Sequence, residues 1–249
     1  MIIIKNNTEI EYMRKAGKLT GETLLMLEEK VKPGITTEDL DKLAEAYIRK
    51  HGGIPSFKGY GGFPASICTS VNEEVIHGIP SKKRHLQEGD IISIDCGAIL
   101  NGWQGDAART FPVGKVSEEA QKLISVTKES FFKGAEKAVV GNRLTDISNA
   151  VQTYAESFGY SLVRDYVGHG IGQEMHEDPE VPNYGRPGRG PKLINGMVLA
   201  VEPMVNVGKY QVITQDNGWT VVTEDGSLAA HYENTIAILD GGSEILTLC

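Results

Sequence analysis

Five polar residues lie in or beside apolar runs of this 249-residue chain, and all five are of types that bind metal ions. They are Asp95, Asp106, His169, Glu202 and Glu233. A carboxylate among apolar residues is costly unless a positive charge compensates it. The four carboxylates carry four negative charges, which two divalent cations would cancel. The set therefore predicts a two-metal hydrolytic site.

The chemistry of these donors narrows the choice of metal. Hard oxygen ligands with a single imidazole suit Mn²⁺, Fe²⁺, Co²⁺ or Zn²⁺ and argue against a cysteine-rich structural zinc site. Calcium usually takes an all-oxygen cage and does not need the histidine. One acid alone would most simply be a surface-facing side chain of a half-exposed strand. Four acids in apolar runs, with a histidine between glycines, favour a single site.

Asp95 and Asp106 are predicted to lie on the two strands of a hairpin whose tight turn is Asn101-Gly102. A two-residue turn places Asp106 opposite Gly97 and puts Asp95 on the same face of the sheet. Such diagonal neighbours are about 7–8 Å apart at the backbone. Their side chains can converge, and two metal ions about 3.5–4 Å apart would fit between them. Gly97 is expected to leave room for the ions.

Further apolar and capping patterns predict the remaining elements. Helical spacing covers residues 8–30, and Thr36, three residues before Asp39, predicts the start of a second helix that ends near Lys50. The other predicted helices are 117–139 and 145–158, and the predicted strands are 66–71, 90–100 and 103–113.

The order of these elements occurs twice. A shift of 107 positions aligns Gly34 with Gly141, Leu40 with Ile147, Tyr47 with Tyr154 and Gly52 with Gly159. We therefore expect one catalytic domain of residues 1–249 made of two related halves, about 1–115 and 116–249. The expected class is α/β or α+β, with a curved, mostly antiparallel sheet, helices on its outer face and a site between the halves.

Composition excludes several classes of protein. A net charge of −8 and a pI of about 5.3 leave no general electrostatic footprint for nucleic acid or an anionic membrane. No stretch approaches the roughly 20 apolar residues of a membrane span. The odd number of cysteines (Cys68, Cys96 and Cys249) predicts free thiols in a reducing compartment, so we expect a cytoplasmic protein.

The glycines around His169 superficially suggest a dinucleotide-binding loop, but their spacing is wrong and no clear helix follows. Close packing around a metal-binding imidazole explains them better. Two other histidines, His77 and His176, lie in turn-prone segments. A lone histidine is usually an ordinary surface or core residue. A metal site also needs polar groups for substrate and intermediate, and these two are candidates.

With these residues the chain resembles the type I methionine aminopeptidases, in their short bacterial form, over essentially its whole length. The segments that carry the resemblance are NEEVIHGIP at 72–80, SIDCG at 93–97, GDAART at 105–110, GHGIG at 168–172, VEPM at 201–204 and YENT at 232–235. They match the family's site segments in order, and the eleven-residue interval from Asp95 to Asp106 is the family's interval. The combination is specific, although no single segment is.

The resemblance implies the pita-bread fold and two bound divalent metal ions (Co, Mn, Fe or Zn). Asp95 would chelate one ion, and Asp106 and Glu233 would bridge both. His169 and Glu202 would complete the shell of the other ion. The two pseudo-symmetric halves of this fold agree with the internal repeat.

The resemblance also implies roles for residues around the ions. His77 would contact the scissile amide nitrogen or the residue after methionine, and His176 would stabilise the oxyanion. As a separate hypothesis, we expect Glu202 to accept and relay a proton. The residues of the methionine pocket would be Tyr60, Phe63, Cys68 and Trp219, with Met175 nearby. Aromatic and sulfur-bearing walls suit a flexible thioether.

Three positions depart from the family's pattern. Phe57 stands where some relatives carry cysteine, Met175 where an aromatic residue is usual, and His231 where glutamine is common. The departures concern the surroundings of the predicted ligands, and all five ligands are present.

The implied activity is removal of the initiator methionine from nascent proteins and peptides, preferably before a small second residue, by a monomeric enzyme working near the ribosome. An Xaa-Pro aminopeptidase or dipeptidase of the same fold is an alternative, although those usually carry a large extra N-terminal domain. An inactive peptidase-like binding module is another, although such proteins typically lose ligands. Type II relatives have a long insertion, for which residues 184–195 leave no room.

Overall fold

The computed structural model describes residues 1–248, so the free thiol predicted at Cys249 lies outside the described residues. The helices are α1 (Asn7–Glu28), α2 (Thr37–Lys50), α3 (Glu118–Ala135) and α4 (Leu144–Glu156). The strands are β1 (Ile54–Pro55), β2 (Ile67–Val71), β3 (Glu74–Ile76), β4 (Ile91–Leu100), β5 (Trp103–Pro112), β6 (Ser161–Leu162), β7 (Gly168–Gly170), β8 (Glu177–Val181), β9 (Val198–Val201), β10 (Met204–Asn206), β11 (Val212–Thr214), β12 (Val221–Thr223), β13 (Ala229–His231), β14 (Asn234–Leu239) and β15 (Gly242–Ile245). None of the described helices has the length and apolar character needed to cross a membrane.

Both helices of the first half begin at capping boxes. In α1 the Asn6 side chain accepts the Glu9 N–H at 3.1 Å, and the Glu9 carboxylate accepts the Asn6 N–H at 2.8 Å. In α2, Thr36 and Asp39 make the same reciprocal pair, as the sequence predicted. From this start α1 packs across β4 and β5, the strands of the predicted metal site.

The strands of residues 1–248 form four sheets, and every pair within them is antiparallel. In the first half β4 pairs with β1, β2 and β5. In the second half the order is β15-β14-β9-β7-β8. The smaller sheets are β13-β10-β6 and β11-β12-β3. The α+β alternative of the expected class is therefore confirmed.

The strands β4 and β5 form the predicted hairpin. Leu100 pairs with Trp103, so Asn101 and Gly102 are the whole loop, with φ angles of 54° and 80°. Positive φ at both loop positions is the type I′ geometry, whose twist matches that of the flanking strands. The turn therefore sets the register along the full length of both strands.

Equivalent backbone contacts recur 107 positions apart in the two halves. The hydrogen-bonded pairs are Gly34 N to Leu86 O (2.8 Å) with Gly141 N to Leu193 O (3.0 Å), and Thr37 N to Arg84 O (3.0 Å) with Leu144 N to Pro191 O (3.0 Å). The isolated bridge between Thr36 and His85 likewise has a counterpart between Arg143 and Lys192. These matched contacts support our proposal that one catalytic domain consists of two related halves.

Helix α1 crosses β5 at a backbone contact that leaves no space for a side chain. A Cβ on Gly105 would lie 2.6 Å from the nitrogen of Gly17 and 2.7 Å from the carbonyl carbon of Ala16. The Thr20 hydroxyl donates to Gly105 O at 3.0 Å across the same contact. Residue 105 therefore fixes how closely α1 approaches the hairpin.

Replacing Gly105 with alanine should lower the free energy of unfolding by about 1–3 kcal/mol, the usual cost of overpacking. Both atoms that the new methyl group meets belong to the backbone, so α1 has to move as a unit. Thermal unfolding checks this, with Gly241→Ala as the matched control because a Cβ there has nothing within 4 Å. Equal melting temperatures for the two variants would contradict the prediction.

Candidate metal centre and active site

The hairpin brings the first two predicted ligands to one face. Asp106 lies opposite Gly97, and Asp95 lies opposite Ala108, which is the predicted register. The expectation that Gly97 leaves room for ions stays a prediction. A Cβ on Gly97 would lie 2.8 Å from the Ser56 Cβ and 2.9 Å from the Phe57 ring, so the missing side chain also makes room for these two neighbours.

Glu233 reaches this face from the second half. Its N–H donates to Ala108 O at 3.0 Å, and its carbonyl accepts the Ala108 N–H at 3.3 Å. Thr235 Oγ1 accepts the Asp106 N–H at 3.0 Å and donates to Asp106 O at 2.9 Å. These four bonds fasten the start of β14 to β5. The carboxylates of Asp106 and Glu233 consequently share one site.

His169 presents a neutral imidazole to the acids. Its Nδ1 lies 2.9 Å from Gly170 O, and since a carbonyl only accepts, Nδ1 carries the proton. Nε2 lies 3.8 Å from Asp106 Oδ2 and 3.6 Å from Glu202 Oε1. Burial lowers the pKa of His169 to about 4. The Nε2 lone pair therefore faces the carboxylates, as a metal ligand requires.

Glu202 follows β9 directly, and Pro203 cannot donate to a sheet ladder. Asn183 Nδ2 donates to Glu202 O at 2.9 Å and holds the backbone at this position. The carboxylate oxygen that does not face His169 lies 3.8 Å from Nε2 of the buried His231. Glu202 is thus enclosed between two imidazole rings.

Burial raises the pKa of all four carboxyl groups. It raises the pKa of Asp106 to about 7. For Asp95, Glu202 and Glu233, burial is the main cause and repulsion by neighbouring carboxylates the second, and each pKa lies well above its usual value. Without a cation these acids resist full ionisation at neutral pH. A bound divalent ion would stabilise all of them as carboxylates.

Several oxygens of the predicted ligands lack a hydrogen-bond partner. Among residues 1–248, Asp95 Oδ1, Asp106 Oδ1 and Glu233 Oε1 are buried without a hydrogen bond. One ligand atom each from Asp106, His169 and Glu233 lie within 4.8 Å of one another. Buried oxygens without partners are destabilising, and carboxylate and imidazole donors at this spacing suit a divalent cation. The residues present therefore fit the predicted metal.

A cavity of about 190 Å³ joins these acids to an apolar recess. The predicted pocket residues that line it are Tyr60, Phe63, Cys68 and Trp219. Met175 and the departure Phe57 line it as well. The rings of Phe63 and Trp219 meet edge to face with centroids 5.1 Å apart. One cavity thus has a polar end for chemistry and an aromatic and sulfur-lined end for a side chain.

His176 lies on the wall of the cavity, beside the predicted metal ligand His169. Its ring centroid is 4.3 Å from that of His169. Its Nδ1 is 2.7 Å from the hydroxyl of Tyr60, a residue that is 46% exposed. Partial burial lowers the pKa of His176, which favours the neutral ring.

His77 lies on the wall of the same cavity. Its ring meets those of Tyr166 and Trp219 edge to face, with centroids 5.8 Å and 6.5 Å apart. Its backbone has φ of 58°, which is uncommon for a residue other than glycine. The next residue leaves no space for a Cβ, which would lie 2.1 Å from Thr69 O. The strained turn directs the imidazole to the cavity.

Three residues that support the site were not found from the sequence. Tyr166 buttresses His77 but is a single tyrosine without a pattern around it. Thr235 pins Asp106 through its hydroxyl. Arg109 donates to the backbone carbonyl of Glu233 and lies over the ring of Tyr232. Of these three residues only Arg109 has a recognisable feature in the sequence, because a cation within an apolar strand is unusual.

Comparisons with known proteins agree with this geometry. The profile of metallopeptidase family M24 matches residues 11–240. A methionine aminopeptidase of Clostridium acetobutylicum is 79% identical over 249 residues, which are 100% of each chain. The crystal structure of methionine aminopeptidase from Rickettsia prowazekii has a TM-score of 0.98 at 47% identity and covers 100% of both chains.

More distant structures share the fold alone. Prolidase from Pyrococcus furiosus has a TM-score of 0.80 at 23% identity, and this chain covers 66% of it. The pita-bread fold implied by the resemblance is therefore confirmed, and the full-length matches confirm the resemblance itself. The chain belongs to metallopeptidase family M24 and, within it, to the methionine aminopeptidases.

Proposed function

We propose that this enzyme removes the N-terminal methionine from proteins and peptides. The observation that carries the proposal is a single cavity in which buried acids and a neutral imidazole lie beside an aromatic and sulfur-lined recess. The acids suit metal-assisted hydrolysis, and the recess suits a thioether side chain. The 79% identity to a methionine aminopeptidase over the whole chain supports the same activity.

The residues that would hold two divalent ions are Asp95, Asp106, His169, Glu202 and Glu233. When bound, such ions make water nucleophilic near neutral pH and polarise the scissile carbonyl. Asp106 and Glu233 are the proposed shared ligands, because their backbone segments are hydrogen-bonded to each other and one buried carboxylate oxygen of each has no hydrogen-bond partner. Cobalt, manganese, iron and zinc all accept this donor set.

Glu202 is the proposed proton acceptor. Its two carboxylate oxygens face His169 Nε2 at 3.6 Å and His231 Nε2 at 3.8 Å, inside a buried part of the cavity. Burial raises the pKa of this carboxyl group. A carboxylate with a raised pKa binds a proton more readily, so Glu202 can accept a proton from the attacking water and pass it to the leaving amine.

His176 is the proposed oxyanion donor. When the Tyr60 hydroxyl donates to Nδ1 at 2.7 Å, the ring proton resides on Nε2. That N–H can donate to the oxygen on which charge develops during attack on the carbonyl. His77, held between the Tyr166 and Trp219 rings, is the proposed contact for the scissile amide or for the residue after methionine.

Replacing His176 with alanine should lower kcat by about 10²–10³, the usual effect of losing one oxyanion donor, and leave bound metal unchanged. His51→Ala is the matched control, because His51 is exposed on the surface beyond α2. Steady-state kinetics with metal analysis checks the prediction. A change confined to KM would reject the assigned role.

The activity itself is tested by release of free amino acid from short peptides. The metal-loaded enzyme should release methionine from Met-Ala-Ser, with little cleavage of Leu-Ala-Ser or of an Ala-Pro peptide. Faster cleavage of the proline peptide would favour the dipeptidase alternative. No cleavage of any of the three would favour an inactive binding module.

We further propose that the natural substrates are nascent polypeptides whose second residue is small, processed in the cytoplasm near the ribosome by a monomer. The cavity volume of about 190 Å³, which includes the recess for the methionine side chain, limits the space for the second residue and supports selection for a small one. The net charge of −8 supports contact with the polypeptide without direct binding of nucleic acid.

A further inference from the structure

Apart from the five predicted metal ligands, a buried ion pair lies beside the segment that carries His176. Lys5 Nζ donates to the Glu177 carboxylate and, at 3.1 Å, to Ile3 O. The Lys5 and Glu177 side chains are only 1% and 5% exposed. The desolvation of two buried charges largely offsets their attraction, so such a pair adds little net stability. A role in fixing local conformation explains it better.

The ion pair is packed directly on the backbone of the loop that precedes β8. A Cβ on Gly172 would lie 2.3 Å from Glu177 Oε1 and 2.7 Å from Lys5 Cε. Both side chains therefore rest against the Gly172 Cα. The Lys5 N–H donates to Gly196 O at 2.8 Å, which anchors the lysine to the turn before β9. The pair thus closes the base of the loop between residues 172 and 177.

The start of this loop is also fastened to the first half of the chain. The Gln104 N–H donates to Gly172 O at 2.9 Å, and its side chain Nε2 donates to Gln173 O at 3.3 Å. Ser56 Oγ holds Gln104 by donating to its Oε1 at 2.7 Å. His176 therefore lies between two anchors of the loop. One is Gln104, which binds residues 172–173, and the other is the ion pair at Glu177, the residue directly after His176.

Glu177 also connects the ion pair to the predicted metal ligand His169. It is the first residue of β8 and pairs with Gly170, the neighbour of His169. His176 comes one residue earlier, with its ring 4.3 Å from the His169 ring and its Nδ1 2.7 Å from the Tyr60 hydroxyl. A displacement of Glu177 would therefore move His176, the adjacent residue.

We propose that the Lys5–Glu177 ion pair is a positioning device for His176 and influences the reaction only through that histidine. The inference rests on the proposed function. Neither Lys5 nor Glu177 is among the described residues that line the cavity. Without the ammonium group, the Glu177 carboxylate would be buried and unpaired, and the loop would have to move to solvate it. That movement would carry the imidazole away from the Tyr60 hydroxyl.

A double-mutant cycle tests this claim. Lys5→Met should lower kcat on Met-Ala-Ser by about 10–100-fold in the otherwise native chain, because small misplacements of a catalytic group have effects of that size. KM and bound metal should stay unchanged. In the His176→Ala background Lys5→Met should lower kcat no further. Equal losses in both backgrounds, or no loss in either, would overturn the proposal.

A second variant keeps the test decisive if Lys5→Met does not fold. Lys5→Met with Glu177→Leu removes both charges together, which is often neutral for stability. Its loss of kcat should likewise disappear in the His176→Ala background, and a persistent loss there would overturn the proposal. Lys42→Met, which removes an exposed ion pair with Glu38, is the control and should leave kcat unchanged.

A spectroscopic measurement separates this proposal from the proposed function. Lys5→Met should shift the imidazole ¹H–¹⁵N signals of His176, which Lys42→Met should leave in place. Unmoved His176 signals in Lys5→Met would overturn the positioning role even if kcat fell. If the native enzyme released no methionine at all, the proposed function would fail, and the spectra would still decide whether the ion pair positions His176.

Discussion

Replacing Asp106 with asparagine should reduce methionine release by more than the roughly 10²–10³-fold that loss of one oxyanion donor costs. Asp106 shares a site with ligand atoms of His169 and Glu233, all within 4.8 Å of one another. Asparagine preserves the size of the side chain but removes the negative charge that the proposed ions require. We therefore expect bound metal and activity to fall together.

The measurement combines elemental analysis with initial rates at saturating peptide. Asp240→Asn is the control, because Asp240 is an exposed acid at the end of β14 and should change neither quantity. Native activity at native metal content in Asp106→Asn would refute its assignment as a shared ligand. Loss of activity with metal fully retained would assign Asp106 to the chemistry and not to metal binding.

Removing the ions should destabilise the whole domain. Their proposed ligands come from both halves, and the buried carboxylates repel one another without a cation. A ligand at about 1,000 times its Kd stabilises the native state by roughly 4 kcal/mol. For a chain of this length that corresponds to a rise in melting temperature of about 8–16 °C.

Thermal unfolding of chelated protein with and without added Mn²⁺ measures this effect. The rise should be much smaller in Asp106→Asn and unaltered in Asp240→Asn. Mg²⁺ at the same concentration should give a smaller rise, because it binds imidazole less readily than Mn²⁺ does. Identical melting temperatures with and without Mn²⁺ would contradict a metal centre that links the halves.

Much of the fold follows from local patterns. The Asn101-Gly102 turn predicts the register of β4 and β5, because few residues accept positive φ at both loop positions. The Thr36–Asp39 box predicts the start of α2. The predicted helix 117–139 is too long, since α3 ends at Ala135. The apolar pattern continues past the end of α3 because Ala138, which lies in the turns that follow, is also buried. An apolar pattern reports burial and does not by itself show where the helix ends.

The candidate site divides into a part that the sequence predicts and a part that it does not. Charged ligands in apolar runs are conspicuous because burial would be unfavourable without compensation. Supporting contacts carry no such signal. Lys5 and Glu177 are 172 positions apart, and Thr235 and Asp106 are 129 apart, so only the folded chain reveals them.

The most direct test of the metal centre is the structure of crystals soaked in Mn²⁺, with anomalous scattering used to locate the ions. We expect two peaks per chain, both in contact with Asp106 and Glu233, with Asp95, His169 and Glu202 as the remaining protein ligands. Acidic side chains that point apart, with only water between them at saturating Mn²⁺, would show that these residues do not form a metal centre.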